Sequence, residues 1–282
     1  MSVVRYIILI LIVAKIDILP QINPGSRQIA LANSDVALSN DVFSVFNNPS
    51  GLAQIKWTEI GIYYSPSPFG IKELANGYAA VNHPFTFGNL GIGFSFFGFE
   101  LYKENKINLT YANNYKQFYF GISVIYNSIE IEKYGSDNSL SINVGGLTYI
   151  NKSLRFGFSI HNVNQATFGN EDGQIPTIFS VGSSYDVLQN LTLNLAAEKE
   201  IDYDFSLKSG IEFTLIKYLS LRFGFNNYPS AYTAGVGINF LFFSLDYAFF
   251  THEYLGLTHQ AGLIIHFGDE TLRNERVKSF LK

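Results

Sequence analysis

The stretch Leu219-Ser220-Leu221-Arg222-Phe223-Gly224-Phe225-Asn226 decides the fold, because its apolar and polar residues alternate without a break. Successive side chains of an extended strand point to opposite faces. One face of this stretch is therefore leucine and phenylalanine, and the other is small, polar or charged. The same alternation recurs over residues 118–127, 154–161 and 204–213. The chain is thus predicted to form β-strands that each carry one wholly apolar face.

The polar faces of these segments are rich in glycine, serine, asparagine and threonine, with isolated charges. A soluble sheet would show more lysine and glutamate there, so this composition favours a narrow barrel lumen. The segments have the length, about 10 residues, that a tilted membrane strand needs. The prediction is an all-β, transmembrane antiparallel barrel of about 14 strands, closed because an open sheet edge cannot lie in lipid. The predicted strands lie near residues 56–65, 76–84, 88–98, 105–113, 116–127, 139–149, 154–162, 176–186, 191–198, 204–214, 218–226, 231–240, 242–250 and 257–267.

Composition agrees with a membrane barrel and excludes several other classes. Only 15% of residues are charged and 16% are aromatic, whereas soluble domains carry roughly 25% charged residues. After the first twenty residues no apolar run reaches the roughly 20 residues of a spanning helix. The absence of cysteine excludes disulfides, thiolate metal sites and cysteine nucleophiles. The net charge of −4 gives no indication of a nucleic-acid partner.

The connections between predicted strands alternate in length and suggest an orientation. Longer ones fall near residues 66–75, 99–104, 128–138 and 163–175, and shorter ones lie between them. Bacterial barrels have long extracellular loops and short periplasmic turns. This pattern predicts a bacterial outer-membrane location, with outer-membrane lipid around the barrel and both termini in the periplasm.

The two ends of the chain differ from the barrel, which we assign to residues 56–268. Residues 1–20 resemble a signal peptide, with Arg5 before the apolar stretch Tyr6–Ala14. An uncleaved anchor is the alternative. Residues 269–282 are charged and are predicted to form a periplasmic tail. In the last strand Gln260, Gly262, Ile265 and Phe267 have the spacing of a terminal strand recognised by the barrel-insertion machinery.

Residues 21–55 are predicted to form an N-terminal plug. The segment is small, polar and weakly periodic, and it is too polar to face lipid. Irregular backbone is tolerated at membrane depth where it lies inside a lumen. Its last part, Asn48-Pro49-Ser50-Gly51, has the composition of a tight turn, because asparagine before proline favours turn initiation and glycine permits positive φ.

The plug sequence resembles a known family. Gly25, Arg27, Asp35 and Asp41, followed by Asn48-Pro49-Ser50-Gly51-Leu52-Ala53, are similar to the N-terminal hatch of the FadL-like outer-membrane superfamily, and most similar to its PorV/PorQ branch. The resemblance implies a role in type IX secretion, in which the barrel binds or anchors exported proteins or secretion-system subunits.

Two other functions stay open at this point. One is the passive transport of hydrophobic small molecules that FadL-like transporters perform. It predicts an apolar pocket behind the plug and a lateral gap in the wall, and it gains support if Phe43, Val45 and Phe46 turn into the lumen. The other is a barrel that only organises the membrane or a partner protein.

No catalytic or metal-binding arrangement is evident, and no cofactor is predicted. The histidines are not spaced as a metal pair and no nucleophile elbow occurs. Charges on predicted inner faces either form ion pairs, because an unpaired charge is costly in a confined lumen, or line a cargo path or selectivity ring. These lumen charges are Glu59, Arg155, Lys208, Glu212, Arg222 and Asp246. Aromatic candidates for the membrane-interface girdles are Trp57, Tyr63, Tyr64, Tyr78 and Tyr247.

Overall fold

The computed structural model describes residues 24–169, 173–201, 203–252 and 255–268. It shows a closed barrel of 14 antiparallel strands, in which the first strand pairs with both the second and the last. The predicted fold class is therefore confirmed. The predicted signal peptide and periplasmic tail lie outside the described residues. No helix in the described part of the chain is long and apolar enough to cross a membrane.

The predicted strands all appear in the barrel wall, with ends shifted by a few residues. A further two-stranded hairpin, β8 and β9, lies in the connection between β7 and β10. The strands are β1 (Thr58–Ser65), β2 (Asn76–Phe85), β3 (Gly88–Phe99), β4 (Tyr102–Tyr115), β5 (Phe118–Ile131), β6 (Gly135–Tyr149), β7 (Leu154–His161), β8 (Thr167–Phe168), β9 (Gly173–Gln174), β10 (Ile178–Leu188), β11 (Leu191–Glu200), β12 (Ser206–Ile216), β13 (Leu219–Asn227), β14 (Ser230–Phe240), β15 (Phe243–His252) and β16 (Gly256–Phe267).

The barrel has two distinguishable ends. The long β1–β2 and β7–β10 connections lie at one end, which we call the loop end. At the opposite end, the turn end, β1 begins beside the end of β16. The long connections predicted near 99–104 and 128–138 are wrong. Strands β3 and β4 stay paired up to Phe99 and Tyr102, and β5 and β6 stay paired up to Ile131 and Gly135. Both hairpins therefore have longer strands than predicted and are joined by short turns.

The outward face of the wall is apolar over the height of a membrane. On β5 the exposed side chains run from Phe118 to Tyr126, and on β14 from Tyr232 to Phe240. Each of these aromatic pairs is separated by eight residues. At about 3.4 Å per residue and a tilt of about 40°, this spacing corresponds to roughly 20 Å, close to the apolar band of outer-membrane barrels. The exterior is therefore a lipid-facing surface.

Three of the aromatic residues expected in the girdles lie inside the barrel instead. Trp57 is 6% exposed and Tyr63 is 3% exposed, and Tyr63 packs edge-on against Tyr78 with ring centroids 5.6 Å apart. Tyr63 and Tyr64 are neighbours on one strand, so only one of them can face lipid. Tyr64 and Tyr247 do face outward.

Candidate functional site: a filled lumen with two cavities

The barrel lumen is filled by residues 24–55, which we call the plug. Every plug residue is buried except Asn33, which is half-buried. The plug contains two short helices, α1 (Ser26–Ala30) and α2 (Ser44–Asn47), and two 3-10 turns at Asp35–Ala37 and Pro49–Gln54. It begins with Pro24 in the loop-end half of the lumen and reaches the turn end where β1 starts. The plug thus crosses the lumen from one half to the other.

Glycines of the wall make room for the plug. A Cβ atom added at Gly121 would clash with the backbone of Pro49, and one added at Gly145 would clash with the side chain of Asn48. This close approach explains the glycine content of the inner strand faces. The wall glycines in such contact with the plug are Gly61, Gly91, Gly93, Gly121, Gly145, Gly157, Gly182, Gly210, Gly224 and Gly235.

The Asn48-Pro49-Ser50-Gly51 turn is held by its own side chains. Asn48 Nδ2 donates to the carbonyl of Val36 at 2.8 Å, and Asn48 Oδ1 accepts from Ser50 Oγ at 2.7 Å. Gly51 lies against Ser39 so closely that a side chain would not fit. Leu52 is fully buried beside Gly91 on β3. The motif that carries the family resemblance therefore connects residues 48–52 to residues 36–39 of the plug and packs this part of the plug against β3.

On the β1–β3 side, the plug meets the wall through an apolar interface. Phe43, Val45 and Phe46 are turned into the lumen and buried. A Cβ at Gly61 would contact Val42 and Phe43, and one at Gly93 would contact Val45 and Phe46. This half of the interface is held mainly by shape and apolar burial, with hydrogen bonds from Val42 to Glu59 and from Asn89 to Ile55.

On the β12–β15 side, the plug is held by charge. Arg27 donates from Nε and Nη2 to the two carboxylate oxygens of Glu212, at 2.7 and 2.8 Å, and from Nη1 to Asp41 at 3.3 Å. Glu212 also accepts from Arg222 at 2.7 Å, and Arg222 donates to Asp246 at 2.6 Å. These five side chains form one buried chain of alternating charge across the lumen. We call it the ionic network.

The other lumen charges noted in the sequence also have partners. Glu59 accepts from the backbone N–H of Val42 at 3.0 Å. Arg155 pairs with Asp186 at 3.3 Å, and Lys208 pairs with Glu198 at 2.6 Å. These side chains form pairs rather than a ring of free charges. Sequence analysis missed two of the partners, Asp186 on β10 and Glu198 on β11. Both occupy inner-face positions in strands whose apolar and polar residues alternate.

Asp35, another plug residue singled out in the sequence, has a different environment. It is buried, and among the described residues no cation lies within ion-pair distance of its carboxyl group. Burial, together with the nearby carboxylate of Asp41, raises the pKa of Asp35 to about 7, although Arg27 and Lys208 act in the opposite direction. The ionised form of Asp35 is therefore disfavoured inside the plug.

Replacing Asp35 with asparagine is expected to reduce the pH dependence of barrel stability between pH 5 and pH 8. Because the pKa of Asp35 is higher in the folded state, about 7, than in an unfolded chain, about 3.9, folded Asp35 binds its proton more tightly. Its contribution to the free energy of unfolding is therefore complete below about pH 4 and is lost as pH rises to about 7. The loss is about 4 kcal/mol in all, of which about 2.5 kcal/mol falls between pH 5 and pH 8. Urea unfolding in detergent micelles at both pH values measures this loss. Asp204→Asn, at an exposed position between β11 and β12, is the control, and equal pH slopes in wild type and Asp35→Asn would contradict the assignment.

Two cavities open at the loop end on either side of the plug. The first, which we call the aromatic cavity, has a volume of about 100 Å³. Ile29, Ala32 and Asn33 of the plug form its base, and Phe69 and Phe250 pack edge-on in its wall with centroids 5.6 Å apart. The second, the polar cavity, has a volume of about 60 Å³ and is lined mainly by polar residues of β3–β7. Among the described residues no group of three acidic or histidine side chains is placed to hold a metal ion.

A closed barrel with a lipid-facing exterior and a filled lumen defines the class of plugged outer-membrane barrels. Comparison with solved structures agrees. A FadL homologue from Pseudomonas aeruginosa is 12% identical with a TM-score of 0.58, and the match covers 86% of this chain and 97% of that chain. The toluene transporter TodX of P. putida is 8% identical with a TM-score of 0.56, covering 82% of this chain and 95% of that one. At such identities the likeness establishes the fold, which is that of FadL-like outer-membrane barrels.

The comparisons with protein families give no finer assignment. No family model and no curated protein matches the chain. Of the two structural neighbours, TodX is a toluene transporter and the other is a FadL homologue. The resemblance of the plug to the PorV/PorQ branch thus has no support beyond the plug residues themselves.

Proposed function

We propose that this protein lets small apolar molecules cross the bacterial outer membrane passively, with the aromatic cavity as their entry site. The observation that carries the proposal is the composition of that cavity. Its base is formed by the plug, and its walls combine aromatic and aliphatic side chains such as Phe69, Phe250 and Ala231 with polar groups that include the Lys208–Glu198 ion pair. The apolar side chains offer most of the surface to a ligand. Ligand sites are typically apolar clefts of this kind. A molecule held there can move inward only if the plug shifts.

The two halves of the plug–wall interface suggest the path. Parting the plug from β12–β15 would break the ion pairs of Arg27. Parting it from β1–β3 breaks no ion pair among the described residues. It costs the hydrogen bonds from Val42 to Glu59 and from Asn89 to Ile55, and it exposes Phe43, Val45 and Phe46, whose side chains lose apolar contacts. An apolar molecule can replace such contacts, so the second route costs less free energy. The passage therefore follows the β1–β3 side of the plug.

We also propose an orientation. Long connections of bacterial barrels face outward, so the loop end lies outside the cell and the turn end, with Gly268, lies in the periplasm. The described chain begins at Pro24 inside the lumen. The aromatic cavity then opens towards the surroundings of the cell, as an entry site requires.

Filling the aromatic cavity is expected to reduce uptake. Ala231 lines the cavity on β14, and Ala231→Trp places an indole in a space of about 100 Å³. Uptake of radiolabelled toluene into vesicles that contain the purified barrel should fall by about tenfold, because the substitution removes the binding site. Ala234→Trp, three residues along the same strand with its side chain outside, is the matched control. Unchanged uptake in Ala231→Trp would remove the cavity from the path.

The binding of exported proteins is the second candidate function, supported by the similarity of the plug residues Arg27, Asp35, Asp41, Asn48, Pro49, Gly51 and Leu52 to the PorV/PorQ hatch. The geometry of the loop end favours it less, because hairpins β3–β4 and β13–β14 are joined by only two residues each and offer little surface for a folded partner. Affinity purification from mild detergent separates the two functions. Recovery of secreted proteins that share a C-terminal domain would favour export, whereas an apolar ligand without a protein would favour uptake.

A further inference from the structure

The connection between β1 and β2, residues 66–75, contributes a side chain to the aromatic cavity. Among the described residues that line this cavity, Phe69 is the one that belongs neither to the plug nor to β11–β15 and their turns. To reach the cavity, the connection crosses β16, which lies between β1 and β15 in the barrel. The connection therefore brings the Phe69 ring to the mouth of the cavity from the far side of β16.

Phe69 is held in this position by contacts with two strands. Its backbone N–H donates to the hydroxyl of Thr258 on β16 at 2.9 Å. Its ring packs edge-on against the rings of Phe250 and His252 on β15, with centroids 5.6 and 5.4 Å apart. All three rings line the aromatic cavity. One side of the cavity is thus formed by a ring of the connection rather than by the barrel wall.

The backbone at Phe69 is strained. Its φ of 56° and ψ of 23° lie in the left-handed region, which bulky side chains rarely adopt. Glycine or asparagine would adopt this conformation at a lower cost. Such strain persists where surrounding contacts hold it, and it is frequent at ligand clamps. The contacts that hold Phe69 are those with Thr258 and the rings of β15, so displacement of the ring would also release the strain.

The turn that carries Phe69 can move as a unit. The backbone N–H of Gly70 donates to the carbonyl of Ser67 at 2.9 Å, and this local bond stays intact when the turn swings. Residues 70–73 are exposed, and a Cβ atom added at Gly70 would have no neighbour within 4 Å. Displacing Phe69 therefore costs the hydrogen bond to β16, the ring contacts and the burial of Pro68, without unfolding any strand.

We propose that Phe69 is the lid of the aromatic cavity and determines how wide a molecule can enter it. With its ring against Phe250, the mouth is narrow and a cavity of about 100 Å³ lies behind it. Displacement of the ring widens the mouth towards β16. Lids of this kind control access to many binding sites. The inference rests on the proposed uptake of apolar molecules for the choice of ligand, whereas the lid itself can be tested without transport.

Cysteine labelling tests the lid directly. The natural chain contains no cysteine, so Ala231→Cys places a single thiol on the lining of the aromatic cavity. The rate of its reaction with N-ethylmaleimide in detergent micelles reports access to the cavity. Adding Phe69→Ala, which removes the ring and keeps the Cβ, should raise this rate by at least about tenfold. Adding Ile71→Ala instead, at an exposed position of the same connection outside the cavity lining, should leave the rate unchanged.

Two further variants separate the lid from a general loosening of the loop end. Thr258→Val removes the acceptor of the Phe69 N–H, and the labelling rate should rise by about two- to tenfold, the factor that one hydrogen bond contributes. Phe69→Tyr keeps the ring and should label as Ala231→Cys alone does. If Phe69→Ala does not fold, Thr258→Val decides. The lid is overturned if the folded Phe69→Ala variant reacts no faster than Ala231→Cys alone.

Uptake tests the role of the lid in selecting ligands. In vesicles that contain the barrel with its natural Ala231, Phe69→Ala should raise the ratio of naphthalene uptake to toluene uptake by about tenfold, because a wider mouth admits the two-ring molecule. An unchanged ratio, with both molecules taken up, would overturn this role. If wild type takes up neither molecule, the proposed function and the role in selection both fail, whereas the labelling rates still show whether Phe69 covers the cavity.

Discussion

Oxidation of the double variant Ser26→Cys/Gly262→Cys is expected to stop the passage of apolar molecules through the barrel. Ser26 begins α1 of the plug, and Gly262 lies beside it on β16. A Cβ added at Gly262 would lie 3.7 Å from the Cβ of Ser26, within the range of about 3.5–4.5 Å that disulfides require. Because Gly262 pairs with Tyr63 of β1, the bond would tie the plug to the β1 side of the wall, along which the passage is proposed. Uptake of toluene into vesicles should fall to that of vesicles without protein.

The same sample provides its own control. The natural chain contains no cysteine, so any crosslink joins the two introduced residues. Reduction with dithiothreitol should restore uptake, and each single variant should behave as wild type under oxidising conditions. If the oxidised double variant transports at the full rate, the plug is not the gate. Binding of toluene at the aromatic cavity could then still be measured, so the gate and the entry site are tested separately.

Glu212→Ala is expected to destabilise the barrel and to loosen its plug. The substitution removes the carboxylate that lies between Arg27 and Arg222, within 2.7 Å of both. Breaking a buried ion pair by removing one partner typically costs about 3–5 kcal/mol, because an uncompensated charge stays buried. Urea unfolding in micelles should show a loss of this size in the free energy of unfolding. Limited proteolysis should also cleave plug residues that wild type protects.

Two comparisons make the interpretation specific. Glu132→Ala removes a carboxylate from the exposed β5–β6 turn and should change stability by less than about 0.5 kcal/mol. The double variant Arg27→Met/Glu212→Leu removes both members of the pair that joins plug and wall. It should recover much of the loss, because apolar groups of similar volume often replace buried ion pairs without cost. If Glu212→Ala is as stable as Glu132→Ala, the ionic network does not hold the plug.

The lipid-facing half of this structure could be predicted from the sequence. Each outward residue of a membrane strand must be apolar because it contacts lipid. Every strand therefore shows alternation of apolar and polar residues with a period of two. The stretch from Leu219 to Asn226 shows it, and the predicted strands agree with the observed wall to within a few residues. The fold class followed from this repeated local pattern without knowledge of any contact. Strands β4 and β5 continue beyond the apolar band, up to the pair of Tyr102 and Ile131. They therefore include residues that were predicted to lie in loops.

The inside of the barrel was decided by tertiary structure. Arg27 and Glu212 are 185 residues apart, and nothing local identifies them as partners until the barrel closes around the plug. Tyr63 and Tyr78 are of a residue type common in girdles, but strand parity turns both into the lumen, where Tyr78 packs against Phe46 and Tyr63 packs against Tyr78. The two cavities exist only where plug and wall fail to meet. The sequence thus determined which face of each strand meets lipid, because that is a local choice, whereas pairings and spaces inside the lumen depend on closure of the sheet around a separate segment.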